Sequence, residues 1–242
     1  MIAKNDGAIF ALIPAAGVGT RMGGQVPKQY LSVLGKTILE HTLTLFVNNS
    51  KIERPIVAVA ENDQLFFSLP SSVIEKCTVI TGGAERRDSV MAGLNHLKKF
   101  EPDCSWVLVH DAARPCVQHR DIDNLIETVK GHPVGGLLAT PVLDTLKECT
   151  KSRTVGKTVD RSNLWRALTP QMFRLTVLQK ALSMSIDNGT IVTDESQAIE
   201  EAGFSSKIVE GSGQNIKVTR PEDLWLAEAI LSHHKNLEGK LE

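Results

Sequence analysis

Residues 8–28 read Ala8-Ile9-Phe10-Ala11-Leu12-Ile13-Pro14-Ala15-Ala16-Gly17-Val18-Gly19-Thr20-Arg21-Met22-Gly23-Gly24-Gln25-Val26-Pro27-Lys28. The first six form a continuous apolar run, as expected of a parallel strand buried on both faces. The loop behind it is made of small residues. They let a backbone approach a ligand closely and aim N–H groups at it, and such a nest binds phosphate oxygens. Two familiar fingerprints fail. Met22 takes the third glycine position of a dinucleotide loop. Neither Gly35-Lys36-Thr37 nor Gly156-Lys157-Thr158 has the upstream glycine of a P-loop. What remains is a glycine loop with two cations, Arg21 and Lys28, which suits a triphosphate. A strand–helix turn with solvated basic residues is the other reading of the loop alone.

Outward from this stretch the chain alternates. Thr37-Ile38-Leu39-Glu40 is a capping box that predicts a helix to about Asn48. Pro55–Val59, Thr78–Thr81, Trp106–Val109 and Gly136–Val142 are strand-like, and a weak helix spans Asp63–Leu69. A helix beginning at Asp88 or Ser89 sets Val90, Leu94 and Leu97 on one face, and a second carries Ile122, Leu125, Ile126 and Val129. The rhythm breaks after Pro141. Asp144–Thr150 and Lys157–Leu164, around Lys151-Ser152-Arg153, predict a hairpin with no place in the main sheet. Helical patterns resume at about Arg174–Ile186 and Asp194–Ala202. Ser206–Val209 and Asn215–Val218 read as short strands. Pro221 opens a last helix to about Leu231, with a frayed polar tail from Ser232. Trp106, Trp165 and Trp225 sit on apolar patterns and are expected in the core. The alternation predicts an α/β fold with an open, mostly parallel sheet covered by helices. Ligands in such sheets bind beyond the carboxyl ends of the strands, where loops 15–28, 82–89, 110–115 and 213–219 fall.

Composition limits the function classes. The 242 residues carry 27 basic and 28 acidic side chains, a net charge of -1, with 5% aromatics. That balance argues against a nucleic-acid binder, which needs a basic surface and stacking platforms. No apolar run approaches the roughly 20 residues of a membrane span. Ala8–Pro14 lacks the basic flank of a signal peptide, so a cytoplasmic protein is expected. The four cysteines have neither zinc-knuckle nor redox spacing, and the seven histidines suggest no metal site and receive no catalytic role.

Two further loops carry chemistry. His110-Asp111-Ala112-Ala113-Arg114-Pro115 puts a carboxylate at the carboxyl edge of the sheet beside the glycine loop, a position suited to Mg²⁺. An aspartate capping a turn is the plainer reading of that residue alone. In Gly82-Gly83-Ala84-Glu85-Arg86-Arg87-Asp88-Ser89 the glycines admit a flat base, while the charged residues read equally as a solvated turn.

Taken together, Pro-Ala-Ala-Gly-x-Gly-x-Arg-Met followed by Pro-Lys-Gln-Tyr resembles the nucleotide loop of sugar-phosphate nucleotidyltransferases. Further segments narrow the resemblance: His110–Pro115, Thr158-Val159-Asp160-Arg161, Leu168-Thr169-Pro170-Gln171, Thr193-Asp194-Glu195 and Asn215–Asp223. From about Ile9 to Ala229 the chain is similar to the 2-C-methyl-D-erythritol 4-phosphate cytidylyltransferase family. Ala84 departs from it, standing where relatives often carry an acidic residue.

The resemblance implies one Rossmann-like domain over residues 1–242, with a β-arm at about 143–163 used in a homodimer with shared active sites. No fused next-step synthase is expected at this length. The implied substrates are CTP and a polyol phosphate, with Mg²⁺ or another hard divalent cation held by Asp111. Arg21 and Lys28 are implied to stabilise the transition state, and Arg161 and Lys217 to position the acceptor phosphate. Ala15, Ala16, Gly17, Gly19, Gly82, Gly83, Ser89 and Asp111 are implied at the nucleotide. Arg114, Thr145 and Thr193 are implied at the acceptor. The same transfer to ribitol 5-phosphate and a non-catalytic CTP-binding regulator are the alternatives.

Overall fold

The computed structural model describes residues 7–17, 26–101, 103 and 105–238. In chain order these form β1 (Ile9–Pro14), a 3-10 turn (Lys28–Tyr30), the short strands β2 (Ser32–Val33) and β3 (Lys36–Thr37), α1 (Ile38–Val47) and β4 (Ile56–Val59). The short helices α2 (Gln64–Phe67) and α3 (Ser71–Ile74), β5 (Thr78–Thr81), α4 (Arg86–Leu97), β6 (Trp106–Val109), α5 (His119–Val129) and β7 (Gly135–Pro141) follow. The rest is β8 (Leu146–Cys149), β9 (Val155–Val159), β10 (Trp165–Arg174), α6 (Leu175–Asp187), α7 (Glu195–Glu201), β11 (Lys207–Glu210) and α8 (Glu222–Glu238).

Seven strands form one sheet in the order β11-β7-β10-β6-β1-β4-β5. β10 runs antiparallel to both of its neighbours, and the other pairings are parallel. The result is a Rossmann-like α/β fold. Period-2 alternation divides β1 between two cores. Ile9, Ala11 and Ile13 pack with Leu39, Leu43 and Phe46 of α1 and with Ile122, Leu125 and Ile126 of α5. Phe10 and Leu12 face Val90 and Leu94 of α4 and Leu178 and Leu182 of α6. An apolar residue at every position of a strand is what burial on both faces requires. A smaller core under α8 joins Ala227 and Leu231 to Ile38, Cys116 and Val218.

Local signals account for several boundaries. Thr37 caps α1, its hydroxyl accepting from the Glu40 N–H at 3.0 Å. Asp194 caps α7 in the same way, accepting from Gln197 N–H at 2.9 Å. β8 and β9 pair antiparallel as a separate two-stranded ribbon, as the hairpin reading expects.

Five readings need correction. The helix expected from Asp88 or Ser89 begins at Arg86, because Glu85 and Asp88 form a capping box one turn earlier. Residues 165–174, read as a motif and the start of a helix, form the ten-residue strand β10 in the middle of the sheet. Its ladder shifts register between Ala167 and Gln171, around Pro170, which has no N–H to donate. Residues 215–218 are not a strand. They are a loop tied to the sheet side by Val218 N–H donating to the Ala113 carbonyl at 2.8 Å. α8 continues to Glu238, through the segment expected to fray. Of the three tryptophans only Trp106 is core. Trp165 is 38% and Trp225 66% exposed.

Candidate active site

Three of the parallel strands end side by side: β1 at Pro14, β4 at Val59 and β6 at Val109. The four loops expected to bind a ligand meet there around an open cleft of about 240 Å³. Its lining, among the described residues, takes Ala15, Ala16, Gly17 and Lys28 from the first loop and Arg86 and Ser89 from the second. Asp111, Ala112 and Ala113 come from the third, and Lys217 and Thr219 from the fourth. Arg21 and Gly19 lie outside the described residues.

The first loop is fixed by Gln29, whose side-chain amide donates to the carbonyls of Ala15 and Gly17, both at 2.8 Å. Both carbonyls are thereby engaged on the protein side. Lys28 Nζ donates to the Val218 carbonyl at 3.0 Å, so the first loop is tied to the fourth. Gly82 shows why that position is glycine: an added Cβ would lie 2.7 Å from Ala16 Cβ and 2.7 Å from Ser89 Oγ. Gly83 N–H donates to Ser89 Oγ at 3.1 Å, which closes the second loop on itself. Gly17 has open space where a Cβ would stand.

Asp111 is the electrostatic centre. It stands beyond the carboxyl end of β6 as expected, but buried rather than outside the core, and three cations close on it. Arg86 Nε reaches Oδ1 at 3.0 Å, and Arg114 Nε and Lys217 Nζ reach Oδ2 at 3.1 and 3.0 Å. Burial pushes the carboxyl pKa up, but Arg86, Lys217 and Arg114 outweigh it and hold the group well below the usual carboxylate range. Arg86 is not part of a solvated turn. Burial disfavours its charge, and the carboxylates of Glu195 and Asp111 more than restore it, so its pKa is raised.

The antiparallel run of β10 sets the floor of this centre. Gln171 pairs with Val109, so residues before Gln171 lie beside residues after Val109. Thr169 therefore meets His110 and Asp111. His110 Nε2 lies 3.0 Å from the Arg114 carbonyl, which can only accept, so Nε2 carries the proton. Nδ1 then accepts from the Thr169 hydroxyl at 3.0 Å, and that oxygen accepts from Asp111 N–H at 3.1 Å. Burial lowers the His110 pKa to about 4, so the ring is neutral and its hydrogen bonds keep one direction. Asn215 extends the network: its side-chain amide donates to the Thr169 carbonyl at 2.6 Å, and its backbone carbonyl accepts from Arg114 Nη1 at 2.7 Å.

Three expected acceptor residues lie elsewhere. Arg161 and Thr145 meet each other, Nη1 to Oγ1 at 3.5 Å, on the exposed ribbon and do not line the cleft of their own chain. Thr193 is exposed and donates to Gln197 Oε1 at 3.0 Å. The sequence reading also assigned no role to Gln29, Arg86, Glu195 or Thr169. The Arg86–Glu195 pair spans 109 positions, which local patterning does not register. Gln29 and Thr169 stood in quoted motifs whose buried contacts needed the fold.

Comparison with known proteins agrees with this geometry. A family model described as 2-C-methyl-D-erythritol 4-phosphate cytidylyltransferase matches residues 9–233. A protein of that name from Vibrio parahaemolyticus is 47% identical over 234 residues, 97% of this chain and 100% of its own length. One from Klebsiella pneumoniae is 46% identical, over 95% of this chain and 96% of its own length. The Francisella tularensis structure of the same name superposes with a TM-score of 0.79 at 39% identity, covering 92% of this chain and 99% of its own. A crystal structure of a 4-diphosphocytidyl-2C-methyl-D-erythritol synthase gives 0.81 at 33% identity, over 93% and 99%.

Proposed function

Because this chain belongs to the 2-C-methyl-D-erythritol 4-phosphate cytidylyltransferase family, we propose how its residues divide the work of the family's reaction. The protein is a CTP-dependent nucleotidyltransferase of isoprenoid precursor biosynthesis. It joins the CMP part of CTP to 2-C-methyl-D-erythritol 4-phosphate and releases diphosphate. An oxygen of the acceptor phosphate bonds to the α-phosphorus as the bond from that phosphorus to the leaving diphosphate breaks. A phosphate monoester has a second pKa near ~6, so at neutral pH the acceptor is already a dianion and needs no general base. The barrier is repulsion between anions, and positioned cations lower it.

The observation that supports the assignment is the meeting of Lys28, Arg86 and Lys217 with Asp111 in one cleft beside a glycine loop. Ala15, Ala16, Gly17, Gly82, Gly83 and Ser89 would seat the nucleotide, with Gly19 and Arg21 completing the loop. The exocyclic amine of cytosine would find its acceptor in a carbonyl of the Gly82-Gly83 loop, whose N–H groups are already engaged by the Val59 carbonyl at 2.7 Å and Ser89 Oγ at 3.1 Å. Lys28 and Arg21 would offset charge on the α-phosphate and the departing diphosphate. Lys217 and Arg114 would receive the acceptor.

A hard divalent ion would bind at Asp111 only together with the triphosphate, whose charge would offset that of Arg86, Arg114 and Lys217 around the carboxylate. Asp111 is ionised, and three of the roughly four lone-pair sites of a carboxylate are engaged. Mg²⁺ commonly uses one or two carboxylates with substrate phosphates and water. No cluster of three or more metal-ligating side chains exists among the described residues, so Asp111 would hold the ion together with phosphate oxygens. Bound there, the ion would offset phosphate charge.

Arg161, Thr145 and Thr193 would serve the acceptor, the first two in the cleft of a second copy. The ribbon that bears Arg161 and Thr145 is largely exposed, with Leu143 and Val155 exposed on it. A lone two-stranded ribbon is marginal in water, which favours a covering partner. No helix among the described residues is long and apolar enough to cross a membrane.

Lys217→Ala is expected to weaken the polyol phosphate far more than CTP, because Lys217 comes from the fourth loop and the residues assigned to the nucleotide come from the first and second. Calorimetric titration of each ligand checks this, and equal losses for both would contradict the division. The function itself is tested by diphosphate release from CTP with each polyol phosphate. Turnover with methylerythritol phosphate is expected. Preference for ribitol 5-phosphate, or CTP binding without release, would support the alternatives instead.

A further inference from the structure

Glu195 opens α7 with a side chain only 2% exposed, yet it is charged and does not line the cleft. Both of its oxygens accept from Arg86, Oε1 from Nη1 at 2.6 Å and Oε2 from Nη2 at 3.0 Å. This is the two-pronged pairing that fixes a guanidinium in both distance and plane. The remaining edge of Arg86 donates from Nε to Asp111 Oδ1 at 3.0 Å. Glu195 thus stands behind Arg86, and Arg86 stands between Glu195 and the cleft.

We propose that Glu195 is a positioning residue for nucleotidyl transfer, holding the Arg86 guanidinium on Asp111 and off the phosphates of the nucleotide. Arg86 has five N–H donors, and it lines the cleft where a triphosphate is placed. Three of its donors are committed to the two carboxylates. Without Glu195 the two Nη groups lose their partner, and phosphate oxygens become the strongest acceptors in reach. A guanidinium drawn onto ground-state phosphates binds CTP more tightly but does not favour the transition state. It also leaves Asp111 Oδ1, so the carboxylate loses the contact that fixes its plane. The charge count points the same way. Arg86, Arg114 and Lys217 face Asp111 and Glu195, three positive against two negative, and loss of Glu195 leaves three against one.

The inference rests on the site assignment above, and its test separates the two. Glu195→Gln keeps the volume and removes the charge. The expected result is a kcat lower by about 10-fold or more, the scale seen when a residue orienting a ligating group is lost. The CTP KM should be no higher than wild type, and CTP affinity by calorimetry without acceptor should be unchanged or tighter. A merely structural role would lower thermal stability and leave kcat per folded molecule unchanged. Because Glu195 acts through Arg86, Arg86→Gln with Glu195→Gln should be no slower than Arg86→Gln alone, within about 2-fold. Glu195→Asp retains the charge but withdraws it by one methylene, and should lower kcat in the same direction by less. It also serves if the glutamine variant does not fold. A kcat within about 2-fold of wild type in both Glu195 variants overturns the proposal. So does a raised CTP KM at unchanged kcat, or a double variant whose losses multiply. An inactive wild type, or an Asp111→Asn variant as active as wild type, would instead overturn the site assignment.

Discussion

Asp111→Asn is expected to lose turnover by ~10²–10³-fold, the range for removal of one preorganised charge from a site of this kind, and to lose stability as well. Asparagine keeps the size of the side chain, so the effect isolates the charge. Asp111 is buried, and Arg86, Arg114 and Lys217 all point at it within 3.1 Å. Neutralising it leaves three cations crowded together. Removing one partner of a buried charged set typically costs about 3–5 kcal/mol. Lys217, the most exposed of the three cations, can turn toward solvent, which places the loss at the lower end of that range. Urea denaturation measures the stability, and steady-state assay at saturating CTP and Mg²⁺ measures kcat per folded molecule. Equal kcat in variant and wild type would remove Asp111 from the chemistry and leave it a structural counter-ion.

The second large effect is a recovery of activity. Arg161→Ala and Lys28→Ala subunits are each expected to be nearly inactive alone. If the ribbon reaches a neighbour's cleft, a mixed dimer has one site with both residues intact and one with neither. Random exchange makes about half of the dimers mixed, so activity should return to ~25% of wild type by the symmetry of a two-fold pair. If Arg161 serves the cleft of its own chain, every mixed site lacks one residue and nothing returns. The ribbon's position motivates the experiment, since Arg161 and Thr145 contact each other and line no part of the cleft in their own chain. Subunit exchange verified by mass, without recovery, would refute a shared site.

What the sequence made legible follows from the range of each signal. The apolar run of β1 and the cap at Thr37 are local patterns that appear in the fold where they were read, and the hairpin forms as β8 and β9, with its second strand at Val155–Val159 rather than Lys157–Leu164. The convergence of four loops was readable because ligand sites in open α/β sheets fall at the carboxyl ends of strands. β10 was hidden by Thr169, Pro170 and Gln171, a polar stretch with a proline that reads as a loop. In the fold those residues face His110, Asp111 and α7, where Gln171 accepts from Ser196 N–H at 2.9 Å. The misplaced tryptophans have a related cause. Trp165 begins β10 next to the ribbon, and Trp225 sits on an open side of α8, although their neighbours are apolar. Of the charge cluster, Asp111, Arg114 and Lys217 stood in quoted motifs and were named to the site, while Arg86 and Glu195 were given no role. Arg86 and Glu195 lie in charged stretches resembling ordinary surface turns, and only the fold brings the start of α4 to the start of α7, where the Glu195 side chain is 2% exposed.

The central claim is that this protein supplies charge and position, while the acceptor phosphate itself attacks the α-phosphorus. Ser89, Lys28, Lys217 and Thr219 all line the cleft, so a covalent route through a nucleotidylated side chain has candidate nucleophiles. The two routes differ in stereochemistry. A single in-line displacement inverts the α-phosphorus, and two successive displacements restore it. The decisive measurement is turnover of one diastereomer of CTP carrying sulfur at the α-phosphorus, with the configuration of the product read by phosphorus NMR. Inversion is the result expected here. Retention would mean a covalent intermediate on the protein and would contradict the electrostatic account of the site.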